Sequence, residues 1–215
     1  KISDHDGIAL VIWQLNSILM LYFCNLSSMM RKSLSWLMLL LITLGSALSY
    51  YVIFQLNFFL FDWLEFSNGV NWVFLPSGLR LLIILVLHTY GAVGIMVGST
   101  YINYTLGTSD DHVFNIITGI ISGGAPLIAR VISEGLLRLE TNLTGLTSNG
   151  LLQLSVLFAA ISAITHQIWY FWIGRTENFV ASTLAMVMGD WVGTVLILSM
   201  ATLVLRLVRR QRFNP

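Results

Sequence analysis

Three ionisable residues stand inside otherwise apolar stretches: Arg80 in GLRLLIILVL, His166 in AISAITHQIWY and Asp190 in MVMGDWVGTV. Arginine presents a planar fork of donors suited to a carboxylate or a phosphate. Aspartate is a natural counter-ion for it, and a histidine beside them could take or give a proton. A charged side chain at membrane depth costs roughly 2.5–3.5 kcal/mol on insertion scales, so such groups are expected to face protein and to pair with one another. Two chemistries are open. An Arg80–Asp190 ion pair could do no more than fix how two helices meet. Alternatively, Arg80, Asp190 and His166 could line a cavity that holds a small polar or anionic ligand, or a proton.

Backbone chemistry precedes Arg80. Proline lacks an N–H and disfavours helix at the residue before it. Leu75-Pro76-Ser77-Gly78 therefore suggests a broken or re-entrant entrance, with free backbone groups, Ser77 and Gly78 turned towards an anion. The plainer alternative is a proline in the first turn of a helix. GIISGGAP (residues 119–126) combines small residues that let helices approach closely with Pro126, which can hinge a span. Gly91, Gly94 and Gly98 carry the same packing signal, and Gly189 and Gly193 would let a neighbouring backbone come close to Asp190.

Catalytic signatures are missing: there is no zinc-ligand spacing, phosphate-binding glycine loop or nucleophile elbow. The expectation is a non-enzymatic protein without metal or cofactor. The single Cys24 excludes an internal disulfide. Asn25, Asn103 and Asn142 begin N-x-S/T triplets, which read as chance matches.

The elements that must position these residues follow from composition. Apolar residues make up 56% of the 215 and charged residues 10%, against about 25% charged in a soluble domain. Several apolar runs reach the ~20 residues that cross a bilayer. The fold class is therefore an all-α, polytopic transmembrane bundle, in one membrane domain over 29–215. Six spans are expected: Ser33 to Phe54, Trp72 to His88, Tyr90 to Leu106, His112 to Ile132, Leu151 to Ile173 and Phe179 to Leu205. The second and third, joined by His88-Thr89-Tyr90-Gly91, should form a tight hairpin. Residues 1–28 are either an upstream extension or, over Gly7 to Cys24, a seventh span carrying Gln14 and Asn16. The aromatic stretch QLNFFLFDWLEF (55–66) is expected as an interfacial helix, an anchor or a lid over an external pocket. Gln167 and the Trp169-Tyr170-Phe171-Trp172 run are expected as interfacial anchors.

Basic residues accumulate in cytoplasmic loops. Arg31, Lys32, Arg130, Arg138 and the tail arginines Arg206, Arg209, Arg210 and Arg212 agree on one side, with the C-terminus cytoplasmic. The other side receives Asp62, Glu65, Asp110 and Asp111, with Arg175 as its one basic residue. At about 1.5 Å per residue, Arg80 lies about 12 Å, His166 about 10 Å and Asp190 about 16 Å from that outer face. The only dense basic run follows an apolar helix, so it reads as a membrane anchor, and no nucleic-acid partner is expected.

Two motifs resemble a known family. WVFLPSGLRLL (72–82), followed by GAVGIMVGS, resembles the W-P-P-[AS]-G segment of bacterial membrane-associated sensor domains of the MASE type. MGDWVGTVLIL (188–198) resembles the Gly-Asp-x-x-Gly segment of a late span in that family. The chain departs from the pattern in having one proline where the family typically has two, and Arg80 in place of an apolar residue. The resemblance implies a sensory domain in a bacterial inner membrane that signals to a kinase or cyclic-di-GMP enzyme, here expected on a separate partner protein or beyond Pro215. The leading expectation is a sensory or ligand-binding domain with an outward-facing polar pocket. The alternatives are a small-solute transporter or its substrate-binding subunit, and a structural membrane protein.

Overall fold

The computed structural model describes residues 28–67, 69–106, 111–136 and 148–212. The expectations placed on residues 1–27, on Arg138 and on Asn142 lie outside them. Five helices make up the frame: α1 Ser28–Phe61, α2 Leu75–Thr105, α3 His112–Leu136, α4 Ser148–Trp172 and α5 Phe179–Arg212. All five are long and apolar enough to cross a membrane.

The link from α1 to α2 holds the only strands among the described residues. After a 3-10 turn at Asp62–Leu64, β1 (Glu65–Ser67) pairs antiparallel with β2 (Val70–Asn71), Glu65 facing Asn71. Gly69 turns the ribbon at φ 79°, a left-handed angle that glycine adopts without a side-chain clash. Its N–H donates to Glu65 Oε1 at 2.8 Å. The expected interfacial helix over 55–66 is thus corrected. Residues 55–61 contain no breaker, so α1 continues through Phe61, and only the remainder leaves the helix.

α2 is not a straight rod. His88 has φ 52° and ψ −135°, and the chain doubles back there. A Cβ on Gly91 would lie 3.2 Å from the Ile83 carbonyl oxygen, a contact that eight residues of continuous helix could not make. Phe74, just ahead of α2, packs edge-on against Phe54, and Tyr101 near its end packs against Tyr51. Both limbs of α2 therefore meet the same turn of α1. Arg130 of α3 holds the turn: Nη1 donates to the Ile84 carbonyl at 3.0 Å and meets the His88 ring nitrogen, while Nε pairs with Glu134 at 3.3 Å. Ile84 belongs to the last turn of the first limb, where carbonyls lose helical partners.

α1 packs on α2, α2 on α3 and α5, and α4 on both α3 and α5. The first limb of α2 is thereby enclosed, with Leu81 and Leu85 among Ala129, Leu154, Phe158 and Leu198. Lipid tails are as apolar as these side chains, so close packing and polar contacts, rather than exclusion from water, specify such a bundle. Small residues supply the close approach. Gly94 and Gly98 lie on Thr43 and Ala47 of α1, and Gly119 and Gly123 lie on Met96, Thr100 and Ala92 of α2. Pro126 sits within α3, which continues past it. Its ring denies the Ser122 carbonyl the usual helical donor.

The start of α2 also differs from the open entrance. Leu75 begins the helix and Pro76 lies in its first turn. The donors there are engaged: Leu75 N–H to Asn57 Oδ1 at 2.8 Å, Ser77 N–H to the Phe74 carbonyl at 3.2 Å, and Phe74 N–H to the Gly189 carbonyl at 3.1 Å. Asn57 is buried and acts as a cap supplied from another helix. Asn57→Ala is expected to cost about 1–2 kcal/mol, as loss of a helix-capping acceptor does, measured by thermal unfolding in detergent. A variant as stable as the wild type would mean that water replaces this cap.

Candidate functional site

Arg80 lies one turn into α2 and is 1% exposed. Its Nη2 donates to Asp190 Oδ1 at 3.2 Å, to Oδ2 at 3.3 Å and to Ser162 Oγ at 3.2 Å. The guanidinium carbon lies 5.3 Å from the Phe158 ring centre and 5.6 Å from that of Phe74. Every hydrogen bond that Arg80 makes among the described residues runs through Nη2, and its buried Nε takes none.

The Arg80–Asp190 pair depends on how closely α2 and α5 approach. A Cβ on Gly78 would come within 2.6 Å of Ile197 Cβ and 2.8 Å of the Gly193 carbonyl oxygen. Across the same seam the Ser77 hydroxyl lies 2.7 Å from the Asp190 carbonyl oxygen and 3.3 Å from Thr194 Oγ1. Ser77 and Gly78 thus face α5. Their part in the site is to bring Arg80 up to Asp190, in place of the expected contact with a ligand.

His166 reaches the same place through Ser162. Its Nδ1 faces the Ser162 carbonyl at 2.8 Å and its Nε2 faces Ser122 Oγ at 3.3 Å. A carbonyl only accepts, so Nδ1 carries the proton, and when the ring is neutral Nε2 is the acceptor. The Ser99 hydroxyl donates to Ser122 Oγ at 2.9 Å. Donors therefore run in one direction, from Ser99 through Ser122 and His166 to the Ser162 carbonyl. The Ser162 hydroxyl then meets Arg80.

These groups border a cavity of about 640 Å³, within the ~300–1,000 Å³ range of small-molecule sites. Arg80, His166, Ser99 and Ser122 line it together with the rings of Tyr50, Phe54, Phe74, Phe114 and Tyr170. Glu65 and Gly69 of the ribbon and Gly174, Arg175 and Glu177 of the α4–α5 turn line its mouth. The Arg175 guanidinium lies 3.8 Å over the Phe114 ring. Asp190 stands behind Arg80, outside the lining.

Several of these residues escaped sequence reasoning. Ser122 was hidden in a glycine-rich packing motif. Ser162, one helical turn before His166, was detectable only as a polar i, i+4 pair. Tyr50 belongs to a span with no ionisable marker. The aromatic run divides: Phe171 and Trp172 are exposed, whereas Trp169 is buried with its Nε1 donating to Thr118 at 3.1 Å, and Tyr170 lines the cavity. Gln167, expected as an anchor, is fully buried and accepts from the Thr176 hydroxyl at 2.9 Å. Arg130, expected at the cytoplasmic end of the His112 to Ile132 span, is buried in α3. Among the described residues no three His, Cys, Asp or Glu side chains gather as metal ligands would. Comparison of the chain with protein-family models, with curated proteins and with solved structures gave no match in any of the three.

Proposed function

We propose that this chain is a sensory, ligand-binding membrane domain that takes a small polar ligand into the cavity beside Arg80. The observation that carries the reading is the state of Arg80, a residue of the cavity lining: buried, anchored through one nitrogen to Asp190 and Ser162, with its Nε unpartnered. A buried donor without a partner is costly, and a ligand acceptor would satisfy it. In this reading the two limbs of α2 count as separate crossings, so the bundle has six, in a bacterial inner membrane. Both the N-terminal end of α1 and the C-terminal tail are cytoplasmic, by the distribution of basic residues, and the cavity opens outward. The resemblance of two of its segments to motifs of MASE-type sensor domains favours signalling to a separate partner protein.

The test is a thermal-shift panel of small carboxylates, amino acids and polyols on purified protein in nanodiscs. The comparison is the Arg80→Leu/Asp190→Leu double variant, which removes both charges together. At least one compound is expected to raise the wild-type Tm by several degrees and to leave the double variant unmoved. Equal stabilisation of both proteins, or of neither by any compound, overturns the reading. Uptake of the stabilising compound into vesicles would assign transport instead. A second reading, a purely structural pair, draws on the Ser77 contact to the Asp190 backbone, which ties the same two helices at the same level.

A further inference from the structure

We infer that the occupant of the cavity is a zwitterion of the amino-acid type, its carboxylate at Arg80 and its ammonium towards Glu65 and Glu177. The inference rests on the cavity reading above and narrows it.

The argument begins with charge. Asp190 already neutralises Arg80 from behind at 3.2 Å. A bare anion entering beside Arg80 would therefore bring an uncompensated charge to membrane depth, which is costly even where donors are at hand. A zwitterion adds no net charge. Its carboxylate would sit beside Arg80, which lines the cavity and whose buried Nε has no hydrogen-bond partner. The hydroxyls of Ser99 and Ser122 line the same cavity and offer further polar contacts.

The mouth supplies the other half. Glu65 comes from the ribbon and Glu177 from the α4–α5 turn, so carboxylates border the opening from two separate elements. Glu65 is held in place through Oε1 by the Gly69 N–H. Glu177 has no hydrogen bond or ion pair among the described residues and is exposed. The one basic group at the mouth, Arg175, lies against the Phe114 ring. Between mouth and floor stand aromatic rings, whose faces also attract an ammonium group. A ligand with its anionic end deep and its cationic end outward meets complementary charge at both ends. A plain amine would leave the Arg80 Nε unpaired, and a plain carboxylate would leave the mouth unmatched.

The experiment compares three matched sets on the full chain in nanodiscs: the common amino acids, the carboxylic acids that lack their amino group, and the amines that lack their carboxyl group. At least one amino acid is expected to bind roughly tenfold tighter than both of its matched partners, read as a Kd ratio by calorimetry. In Glu65→Gln/Glu177→Gln, both changes lying at the exposed mouth, that preference is expected to collapse while the deaminated acid binds as before. If an acid or an amine equals or exceeds its amino acid, or the preference survives in the double variant, the zwitterion assignment is overturned and the cavity reading stands. If no member of the three sets binds the wild type, the assignment is overturned and the cavity reading is weakened with it.

Discussion

Asp190→Ala is expected to destabilise the protein by about 3–5 kcal/mol, the usual cost of stranding one partner of a buried ion pair. The substitution leaves the Arg80 guanidinium, 1% exposed, with Ser162 as its remaining hydrogen-bond partner. The Phe74 and Phe158 faces flank it and offer only weak attraction. Replacing both residues by leucine removes the stranded charge, so the double variant is expected to be more stable than Asp190→Ala and close to the wild type. Unfolding in detergent, followed by heat and by denaturant, gives the ranking. A single variant within about 1 kcal/mol of the wild type, the range of exposed ion pairs, would mean that cavity water solvates the guanidinium.

The second large effect is expected at Gly193. The backbone from Asn71 to Leu75 passes directly over α5, with the Asn71 carbonyl against Gly189 and the Phe74 carbonyl against Gly193. A Cβ at Gly193 would occupy the position of the Phe74 carbonyl, and backbone yields far less readily than a side-chain tip. Gly193→Val should therefore cost about 3 kcal/mol, the upper end of overpacking penalties, and should pull Arg80 away from Asp190. Gly124 is the matched control, since nothing lies within 4 Å of a Cβ built there. Gly124→Ala should be neutral or up to ~1 kcal/mol stabilising, by helix propensity alone. Equal melting temperatures for the two variants would show that the α2–α5 seam is more compliant than its contacts imply.

Those two positions show what was readable in the chain and why. Arg80 and Asp190 were visible because an isolated charge in an apolar run has few places to go, and helix rise alone put them at comparable depth. Gly189 and Gly193 were readable as a site of close backbone approach because only glycine leaves that space. The start of α2 was not readable. Whether a proline opens a helix or breaks one depends on who satisfies the neighbouring donors, and here Asn57 does so from 18 positions away. Ser122, Ser162 and Tyr50 were obscured for a related reason. Serine and tyrosine are common in spans, and their meeting at one cavity comes from packing between helices, not from a local pattern. The turn at His88 was readable too: it falls at the His88-Thr89-Tyr90-Gly91 junction that was expected to join two short spans, and the helix breaks there.

That turn bears on how the protein is made. Its limbs, 75–87 and 89–105, are only about 20 and 25 Å long at helical rise, and each is short of the ~20 residues that suit a lone segment to a bilayer. During synthesis neither limb is a good passenger by itself, and the first also carries Arg80. The pair is better suited to leave the ribosome as a unit and enter the lipid as a loop. Arg80 then emerges 110 residues ahead of the aspartate that neutralises it. Until α5 is made, Arg80 has no Asp190 to pair with, so the last helix supplies the counter-ion of the second.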